Sequence, residues 1–400
     1  MQSEFKGYLA CEVLINKAFN RQREWMLMLE KAFKFTGKDL TKLSIMMIMA
    51  TLLFGLPGLL MMLFLQWITS QSYAIESIDK HGISKVGASR LGGAAIFGSA
   101  SGLYLFGVYS GVIEPSPLST ISSAFWLSIF SCMGIGLMDD LRSNLLSPRM
   151  RLVIISLIFG LCLAVIPILI PQKIGIVGLD FLLNKAIIGW IITLVFCVGF
   201  VNAVNMADGA NGLIPGIITI ALAVFYMEVG SFTYAIFMTT CGLFTIFNVI
   251  SGRLFLGDAG AYGLGSMLAL NGLYLFSAGV FSAAFLAVLF AYPCIEILVT
   301  VARRRIEGRS IFLPDNDHLH NRVHFHCQGW FRSKTLANSM TGVLIVSFSS
   351  GLALLGYTEA WWSVTSNQWA WVFLGQCTMY VVAFIVTGLA RPISQHVAEQ

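Results

Sequence analysis

Aspartates gathered in a few loops are the residues of this sequence whose positions most directly suggest chemistry. Only 20 of the 400 residues are acidic, and six aspartates follow apolar blocks: Asp139, Asp140, Asp208, Asp258, Asp315 and Asp317. Adjacent carboxylates such as Asp139 and Asp140 repel each other unless a cation or a proton lies between them. Mg²⁺ suits such a pair, because it takes one or two carboxylates and leaves its other positions to water and phosphate. A solvated helix cap explains any one of these acids equally well, but six together favour a functional site.

Four polar side chains spaced three residues apart form a second candidate feature. They are Asn202, Asn205, Asp208 and Asn211. On one helix this spacing keeps side chains on a single, slowly drifting stripe, which predicts that the four line one groove. The Asp-Gly and Asn-Gly steps in the same segment break helices, and a broken helix at a membrane edge indicates a ligand-facing turn. Hydrogen bonding between helices by the asparagines is the structural alternative.

Glycine and basic residues surround the other acids. The segment 253–263 places Asp258 among glycines that let backbone amides approach an anion closely. The longest internal loop, 302–338, carries three consecutive arginines and a His-x-His segment. Such a loop suits a diphosphate, because guanidinium groups bind phosphate oxygens in a planar fork. As alternatives, the three arginines serve as a helix-end anchor, or the histidines belong to a zinc site, although no third soft ligand stands at suitable spacing.

The elements that must position these residues are apolar blocks. Hydrophobic residues make up 57% of the chain and charged residues only 11%, where a soluble domain carries about 25% charged residues. The apolar residues fall in blocks of about 17 to 27 residues, which are long enough to cross a hydrocarbon layer about 30 Å thick. The composition therefore excludes a soluble enzyme and predicts an all-α, polytopic membrane bundle of about 10–11 transmembrane helices. The eleven blocks are 43–69, 93–113, 121–138, 152–170, 186–204, 213–229, 232–250, 263–280, 282–301, 339–357 and 369–389.

The distribution of Lys and Arg predicts which loops face the cytoplasm, because that side retains the excess of positive charge. Fifteen Lys and Arg fall on one side of the predicted bundle and two on the other. The catalytic loops are therefore expected on the cytoplasmic face. The basic side consists of the loops 70–92, 139–151, 205–212, 251–262 and 302–338 with the tail 390–400.

The N-terminal segment 1–42 is the one part that conflicts with this orientation. Its eight Lys and Arg would lie outside if all eleven blocks cross the membrane. Either the segment lies on the membrane surface as an amphipathic helix, or the first block is re-entrant, since Gly55, Pro57 and Gly58 interrupt it. The predicted organisation is thus 1–42 as a basic segment, 43–389 as the membrane domain and 390–400 as a tail.

Four motifs in order, from about residue 80 to 322, make the chain resemble the polyprenyl-phosphate N-acetylhexosamine-1-phosphate transferase family. This family includes the bacterial enzymes that start O-antigen and enterobacterial common antigen chains, and the related phospho-muramoyl-pentapeptide transferase. The four motifs are Lys85-Val-Gly-Ala-Ser-Arg90-Leu-Gly-Gly, Gly-Leu-Met-Asp139-Asp140, Asn205-Met-Ala-Asp208-Gly-Ala-Asn211-Gly and Phe255-Leu-Gly-Asp258-Ala-Gly. Two further segments, Pro293-Cys-Ile-Glu296 and Asp317-His318-Leu-His320, resemble the ninth helix and the histidine motif of the O-antigen-initiating branch.

The resemblance implies roles for individual residues. Asp258 is expected to bind Mg²⁺, with Mn²⁺ as an alternative. Asp139, with Asp140 beside it, is expected to deprotonate or position the lipid phosphate. Asp208 is counted with these two as a catalytic residue and, with Asn205, is expected to line the nucleotide site.

The resemblance also implies a set of substrate-binding residues. Phe255 is expected to stack on uracil, while Lys85, His318 and His320 are expected to contact phosphates or the sugar. The complete predicted set is Lys85, Arg90, Asn202, Asn205, Asn211, Phe255, Arg309, His318 and His320.

Three departures separate this sequence from the family pattern. The usual prolines before Arg90 are missing, Asn211 replaces the second acid of the Asp-Gly-x-Asp segment, and Asn321 replaces the last histidine of the His-x-His-His motif. The change at Asn211 removes a negative charge from the segment. The change at Asn321 bears on the choice of sugar.

The resulting hypothesis is a phosphotransferase of the bacterial inner membrane, at the first membrane step of cell-surface polysaccharide assembly such as the O-antigen of lipopolysaccharide. It would move HexNAc-1-phosphate from a UDP-HexNAc to undecaprenyl phosphate and release UMP. The lipid bilayer is an expected partner, nucleic acid is not, and a homodimer is left open. The rival hypothesis is a cation-coupled transporter or lipid flippase, and a catalytically inactive scaffold of the same fold is the third.

Overall fold

The computed structural model describes residues 37–71, 88–115, 119–142, 145–310 and 317–389. Within these ranges the only strand-like feature is an isolated bridge between Ser89 and Leu254. Lys85, most of the segment 1–42 and the tail 390–400 lie outside them. The helices are α1 (Gly37–Ser70), α2 (Gly92–Tyr109), α3 (Thr120–Leu141), α4 (Pro148–Val165), α5 (Val177–Leu183), α6 (Ala186–Ala207), α7 (Leu213–Val229), α8 (Phe232–Ser251), α9 (Gly257–Ser277), α10 (Ala283–Leu289), α11 (Ala291–Ile306), α12 (Leu319–Trp330), α13 (Lys334–Phe348), α14 (Ser350–Thr358) and α15 (Trp369–Leu389).

The predicted all-α membrane bundle is confirmed, because every one of the eleven apolar blocks is a helix or a bent helix pair. The number of described helices that are long and apolar enough to span a membrane is lower than the predicted 10–11 spans. Among the described residues, six helices are long and apolar enough to cross a membrane, and up to eight spans result if each bent pair counts as one. The difference arises because α7 has only 17 residues, while α2 and α9 contain many glycines and serines that lower their mean hydropathy.

The first helix, α1, forms a compact unit by itself. It is kinked at Gly55, whose φ of 63° and ψ of −147° are not helical. Glycine tolerates this conformation because it has no Cβ. Pro57 follows two residues later, where it removes a backbone donor from the helix. The interruption expected from the sequence is therefore present.

In the second unit, α9 is the central helix. Every residue from Asp258 to Leu273 is buried, and the helix packs most extensively on α3 and also on α6 and α2. Small residues allow this close packing. A Cβ at Gly263 would lie 2.6 Å from the ring of Phe97 and 2.8 Å from Met133. The glycines of α9 thus hold the helix, and Asp258 at its start, at fixed positions in the bundle.

Two spans are bent where their helices break. The bend between α10 and α11 is 82°, and the bend between α13 and α14 is 46°. The two breaks contact each other: the Ser350 hydroxyl donates to the Leu289 carbonyl at 2.7 Å, and the Tyr292 amide donates to the Ser349 hydroxyl at 3.1 Å. These bonds satisfy backbone groups that a helix break leaves open. They fix the start of α11, which carries residues of the site.

Candidate active site

A short parallel pairing joins the loop before α2 to the loop before α9. The Ser89 amide donates to the Arg253 carbonyl at 3.0 Å, and the Gly92 amide donates to the Phe255 carbonyl at the same distance. Only glycine fits at position 92, because a Cβ there would overlap the Phe255 carbonyl oxygen. The pairing holds Arg90 beside the start of α9.

Asp140, at the end of α3, caps the N-terminus of α9. Its Oδ1 accepts from the amide of Asp258 at 3.0 Å and its Oδ2 accepts from the amide of Ala259 at 2.8 Å. A carboxylate at a helix N-terminus satisfies open N–H groups and interacts favourably with the helix dipole. Gly257 permits this approach with a φ of 72°, and Gly136 lets the α3 backbone contact Asp258 directly. Both oxygens of Asp140 therefore serve to position the start of α9.

Two arginines bridge the three carboxylates. Arg151 Nη1 lies 2.8 Å from Asp139 Oδ2 and 3.1 Å from Asp258 Oδ2. Arg90 Nε lies 3.3 Å from Asp140 Oδ1, and its Nη2 lies 3.7 Å from Asp258 Oδ1. The side chains of all three aspartates are at most 12% exposed. We call these five residues the carboxylate–arginine cluster.

The carboxylate–arginine cluster holds two buried polar atoms without a hydrogen-bond partner, Asp139 Oδ1 and Arg151 Nε. Buried polar groups are nearly always paired, and an exception calls for an explanation such as an ion or ligand. Burial is the largest cause that raises the pKa of Asp258 above its ordinary value, and the neighbouring carboxyl groups of Asp139 and Asp140 act in the same direction. An orphaned acceptor and an orphaned donor in one cluster fit a site that takes both a cation and an anion.

The donor set of the cluster fits a hard divalent cation with few protein ligands. Among the described residues, no group of three His, Cys, Asp or Glu side chains is arranged to hold a metal ion. Asp139 and Asp258 nevertheless share one guanidinium nitrogen of Arg151, so their oxygens face a common point. Two carboxylates are sufficient for an ion such as Mg²⁺, which keeps water and substrate phosphate as its other ligands.

The turn that follows α6 carries Asp208. The helix ends at Ala207, and Asp208 adopts a non-helical ψ of 58°. Asn248 fastens this turn to the loop before α9: its Oδ1 accepts from the Gly212 amide and its Nδ2 donates to the Leu254 carbonyl at 2.7 Å. One asparagine thus joins the Asp208 turn to the loop that leads to Asp258.

The predicted single stripe of polar residues on α6 is not formed. The helix ends before Asp208, so Asn211 lies on the turn, where its Nδ2 donates to the Ser339 hydroxyl of α13 at 3.3 Å. The side chain of Asn202 bonds to the Val198 carbonyl of its own helix at 2.7 Å. Asn205 is half-buried near the end of α6. Asn211 is only 4% exposed, and its amide serves packing between segments.

The predicted histidine segment is held by α11. His318 Nδ1 lies 2.9 Å from Glu296 Oε1, and His320 Nδ1 lies 2.9 Å from the Tyr292 hydroxyl. The two imidazoles stack with their centroids 5.3 Å apart. On its far side, the Nε2 of His320 contacts Gly209, where a Cβ would overlap it. The histidine segment therefore packs directly on the turn that carries Asp208.

The site loops lie at one end of the bundle, because each contacts the next. The loop before α2 pairs with the loop before α9, and the end of α3 caps α9. Asn248 joins the loop before α9 to the Asp208 turn, and that turn contacts His320. These loops were predicted to share one face of the membrane. The contacts between these loops agree with that prediction.

Two further predicted binding residues, Arg309 and Phe255, lie outside the carboxylate–arginine cluster. The Arg309 side chain is 52% exposed and its Nε lies 3.4 Å from Glu307 Oε2. Phe255 is half-buried, and its amide donates to the Ser89 carbonyl at 2.8 Å. Arg309 is thus a surface residue in this structure.

Three residues that the structure places in the site were not in the predicted set. By sequence, Arg151 falls in the predicted basic loop 139–151, Glu296 in a motif of the family resemblance, and Asn248 in the predicted span 232–250. Their partners lie 12 to 107 residues away for Arg151 and 36 residues away for the Asn248 bond to Gly212. The only sequence signal was their polarity inside or beside an apolar block.

Together the fold and the site define a polytopic helical membrane protein with a buried carboxylate–arginine cluster at one end of its bundle. The family model described as glycosyl transferase family 4 matches residues 122–276. The matched segment contains Asp139, Asp140, Arg151, Asp208 and Asp258. These findings confirm the resemblance predicted from the motifs: over this segment the chain is similar to glycosyl transferase family 4.

The curated relatives carry related names. The chain is 29% identical over 238 residues (56% of the chain, 64% of the relative) to a probable undecaprenyl-phosphate N-acetylglucosaminyl 1-phosphate transferase of Bacillus subtilis (strain 168). It is 27% identical over 195 residues (44% and 57%) to the phospho-N-acetylmuramoyl-pentapeptide-transferase of Levilactobacillus brevis, and 27% identical over 282 residues (64% and 80%) to that of a Geobacillus species, strain WCH70. The match covers less than two thirds of the first two relatives.

Proposed function

We propose that the chain transfers HexNAc-1-phosphate from a UDP-sugar to undecaprenyl phosphate and releases UMP. The carboxylate–arginine cluster is the observation that carries this proposal, because it offers both cation ligands and guanidinium groups at one end of a membrane bundle. The names of the relatives, which include undecaprenyl-phosphate and pentapeptide sugar-phosphate transferases, support the same substrate class. The donor is proposed to be a UDP-HexNAc, and the donor panel described below identifies which HexNAc it carries.

In this reaction an oxygen of the lipid phosphate forms a bond to the sugar-bearing phosphorus of the donor. The bond from that phosphorus to the bridging oxygen breaks, and the oxygen leaves with UMP. Two anions must meet, so positioning and charge neutralisation provide most of the catalysis. Arg151 and Arg90 place positive charge beside the carboxylates. Asp139 has a buried oxygen without a hydrogen-bond partner, and its proposed role is to deprotonate or position the lipid phosphate.

The resemblance to this family implies a divalent metal ion, and we propose Mg²⁺ for this chain, with Mn²⁺ as the alternative. Asp258 and Asp139 would hold the ion, since both contact the same nitrogen of Arg151. When bound, the ion would neutralise the diphosphate and polarise the bond that breaks. Asp140 would act on Asp258 through the backbone of α9.

An apolar cavity of about 280 Å³ lies among α5, α6, α9 and the bent pair α10–α11. Its lining includes Leu183, Phe196 and Phe276. A cavity with such walls favours an isoprenoid chain over a polar ligand. It supports an acceptor with a long apolar tail.

The chain is a multi-pass membrane protein, and we propose a bacterial inner membrane with the site on the cytoplasmic side. The excess of Lys and Arg in the site loops supports this orientation. We also propose the membrane domain at 43–389, flanked by the basic segment 1–42 and the tail 390–400.

The transporter alternative gains no support from the acids. A transporter places its coupling acids near the middle of the membrane, whereas Asp139, Asp140 and Asp258 stand at helix ends. Glu296 lies deeper, but hydrogen bonds from neighbouring residues already occupy both of its oxygens.

The direct test is an assay of the purified protein with undecaprenyl phosphate and a panel of UDP-HexNAc donors carrying radiolabelled sugar. Label should enter the lipid phase, with one UMP released per transfer, only when a divalent cation is present. Absence of lipid label with every donor, from protein that remains folded in detergent, would contradict the proposal and favour a transporter or an inactive scaffold.

A further inference from the structure

Glu296 is a fully buried carboxylate whose two oxygens accept hydrogen bonds from four groups. Its exposure is 0%. Oε1 accepts from the Thr300 hydroxyl at 3.2 Å and lies 2.9 Å from His318 Nδ1. Oε2 accepts from the Leu319 amide at 3.2 Å and from the Tyr380 hydroxyl at 2.8 Å. Such a group specifies the arrangement of its neighbours, since each of them would be left unsatisfied without it.

The residues that contact the histidines share one face of α11. Tyr292, Glu296 and Thr300 are spaced four residues apart, so their side chains lie above one another on the helix. Tyr292 contacts the Nδ1 of His320, and Glu296 contacts the Nδ1 of His318. Since α11 engages the Nδ1 of both rings, each ring directs its Nε2 away from α11.

Contacts at its start make α11 a fixed platform for this face. Ser349 accepts from the amide of Tyr292. Gln376 of α15 donates to the Ser349 carbonyl at 3.0 Å and to the Val288 carbonyl at 3.4 Å, which spans the two helix breaks. The rotation of α11, and with it the direction of Glu296, is therefore set by neighbouring helices.

The far side of the histidine segment is the turn that carries Asp208. His320 Nε2 contacts Gly209, and there is no space for a Cβ at that position. A displacement of His320 would therefore be transmitted to the turn. Hydrogen bonds from the Asn248 side chain join this turn to the loop before α9.

We propose that Glu296 and Tyr292 are positioning residues for the donor site: they lock His318 and His320 against the Asp208 turn and so preform the wall that receives the UDP-sugar. This inference rests on the proposed function for its kinetic part. Both side chains are buried, with Glu296 at 0% and Tyr292 at 3% exposure, so neither is assigned a contact with substrate. Their effect passes through the histidines to the turn.

The test compares Glu296→Gln and Tyr292→Phe with the wild-type protein, and uses Glu359→Gln as the matched control because Glu359 is exposed. In Glu296→Gln one carboxylate oxygen becomes an NH₂ group, which places a donor against either the Leu319 amide or His318 Nδ1. Because the variant leaves a buried donor of the histidine segment without its charged acceptor, the KM for the UDP-sugar should rise about tenfold or more. The KM for undecaprenyl phosphate should change less than about twofold, because the lipid phosphate is assigned to the other cluster. Tyr292→Phe should give the same split with a smaller rise.

Hydrogen–deuterium exchange supplies a readout that needs no turnover. Glu296→Gln should accelerate exchange in peptides covering 317–322 and 205–212, with no change in the control. Equal increases in both KM values, or unchanged exchange at 205–212, would overturn the proposal by showing only general loosening. If Glu296→Gln fails to fold, Tyr292→Phe decides by the same criteria. If wild-type protein transfers no sugar phosphate, the proposed function fails, and the exchange data still decide whether α11 positions the turn.

Discussion

Asp140 Oδ1 lies 3.0 Å from the backbone nitrogen of Asp258. Two acids that are 118 residues apart in sequence are thus joined as helix cap and capped residue, while Asp139, the immediate neighbour of Asp140, faces Arg151 instead. The adjacent aspartates of α3 therefore have different tasks. Asp140 holds α9, and Asp139 keeps one oxygen without a partner.

This division predicts different consequences for the two Asp→Asn changes. In Asp140→Asn one backbone N–H of α9 faces an amide donor, so we expect a stability loss of about 1–3 kcal/mol, read as a lower apparent Tm in detergent. Asp139→Asn can turn its amide toward the unpartnered side and should lower the Tm less, while losing more turnover. A larger Tm loss for Asp139→Asn than for Asp140→Asn would contradict the assignment.

Removal of the divalent cation, or of its proposed ligand Asp258, should abolish most transfer. Asp258→Asn replaces a charged ligand and should reduce UMP release by about 10²–10³-fold, comparable to the loss of a group that stabilises transition-state charge. Chelator treatment of the wild-type protein should do the same, and added Mg²⁺ should restore it. The variant should remain folded, since Asp140 still caps α9. Near-normal UMP release by Asp258→Asn in Mg²⁺ would defeat the metal assignment.

Arg151 contacts both carboxylates at the point where the cation is proposed to bind. In Arg151→Gln the two carboxylates lose their shared counter-charge, and because the arginine is only a fifth exposed we expect a loss of about 1–3 kcal/mol without divalent cation. Mg²⁺ should then raise the Tm more in the variant than in the wild type. The control is Lys334→Gln, which removes a positive charge at the start of α13, outside the carboxylate–arginine cluster. An equal or smaller Mg²⁺ shift in Arg151→Gln would show that the arginine supports the ion rather than occupying its place.

The sequence predicted the helices well because their signal is local. Each apolar block is a helix or a bent helix pair, and the interruption at Gly55 was visible in the sequence itself. The stripe of Asn202 to Asn211 failed for an equally local reason, since the Asp-Gly step ended α6 and outweighed the three-residue spacing.

What the sequence could not provide were the partners across the bundle. Asp139 and Asp140 are the same residue type in adjacent positions, and only their different contacts in the fold, with Arg151 and with the start of α9, distinguish them. Glu296 is one more acid near a span end until His318 and Tyr380 meet it. Each of these contacts depends on helix rotation and on where a helix breaks, which composition and spacing do not determine.

The buried His324 of α12 should make the protein sensitive to acid. Burial lowers the pKa of His324 below its ordinary value of 6.5, with Lys334 acting in the same direction. The unfolded chain then binds the proton more readily, so stability falls as pH drops through about 6.5 toward the lowered folded pKa. The apparent Tm of the wild type should decrease over this range, and His324→Gln should decrease less. Equal slopes for the two proteins would contradict the prediction.

Asn211 stands where the family pattern has an acid, and its surroundings predict what restoring the acid would do. Its Nδ2 donates to the Ser339 hydroxyl at 3.3 Å, and the Ser339 hydroxyl also donates to the Val249 carbonyl at 2.7 Å. In Asn211→Asp the donor is lost and a carboxylate is buried, which costs about 1–3 kcal/mol. We expect a lower Tm and no gain in turnover. Ser339→Ala, which removes only the hydroxyl, should lower the Tm by a smaller amount.

The same pair of variants decides whether position 211 reaches substrate. If a carboxylate there contributed to the reaction, Asn211→Asp would raise the rate of UMP release at unchanged stability, and Ser339→Ala would have no bearing on it. If Asn211 serves packing, the double variant Asn211→Asp with Ser339→Ala should show non-additive Tm losses, because both changes act on one hydrogen bond. Additive losses together with faster turnover would show that the acid of the family pattern belongs to the site and that this chain works without it.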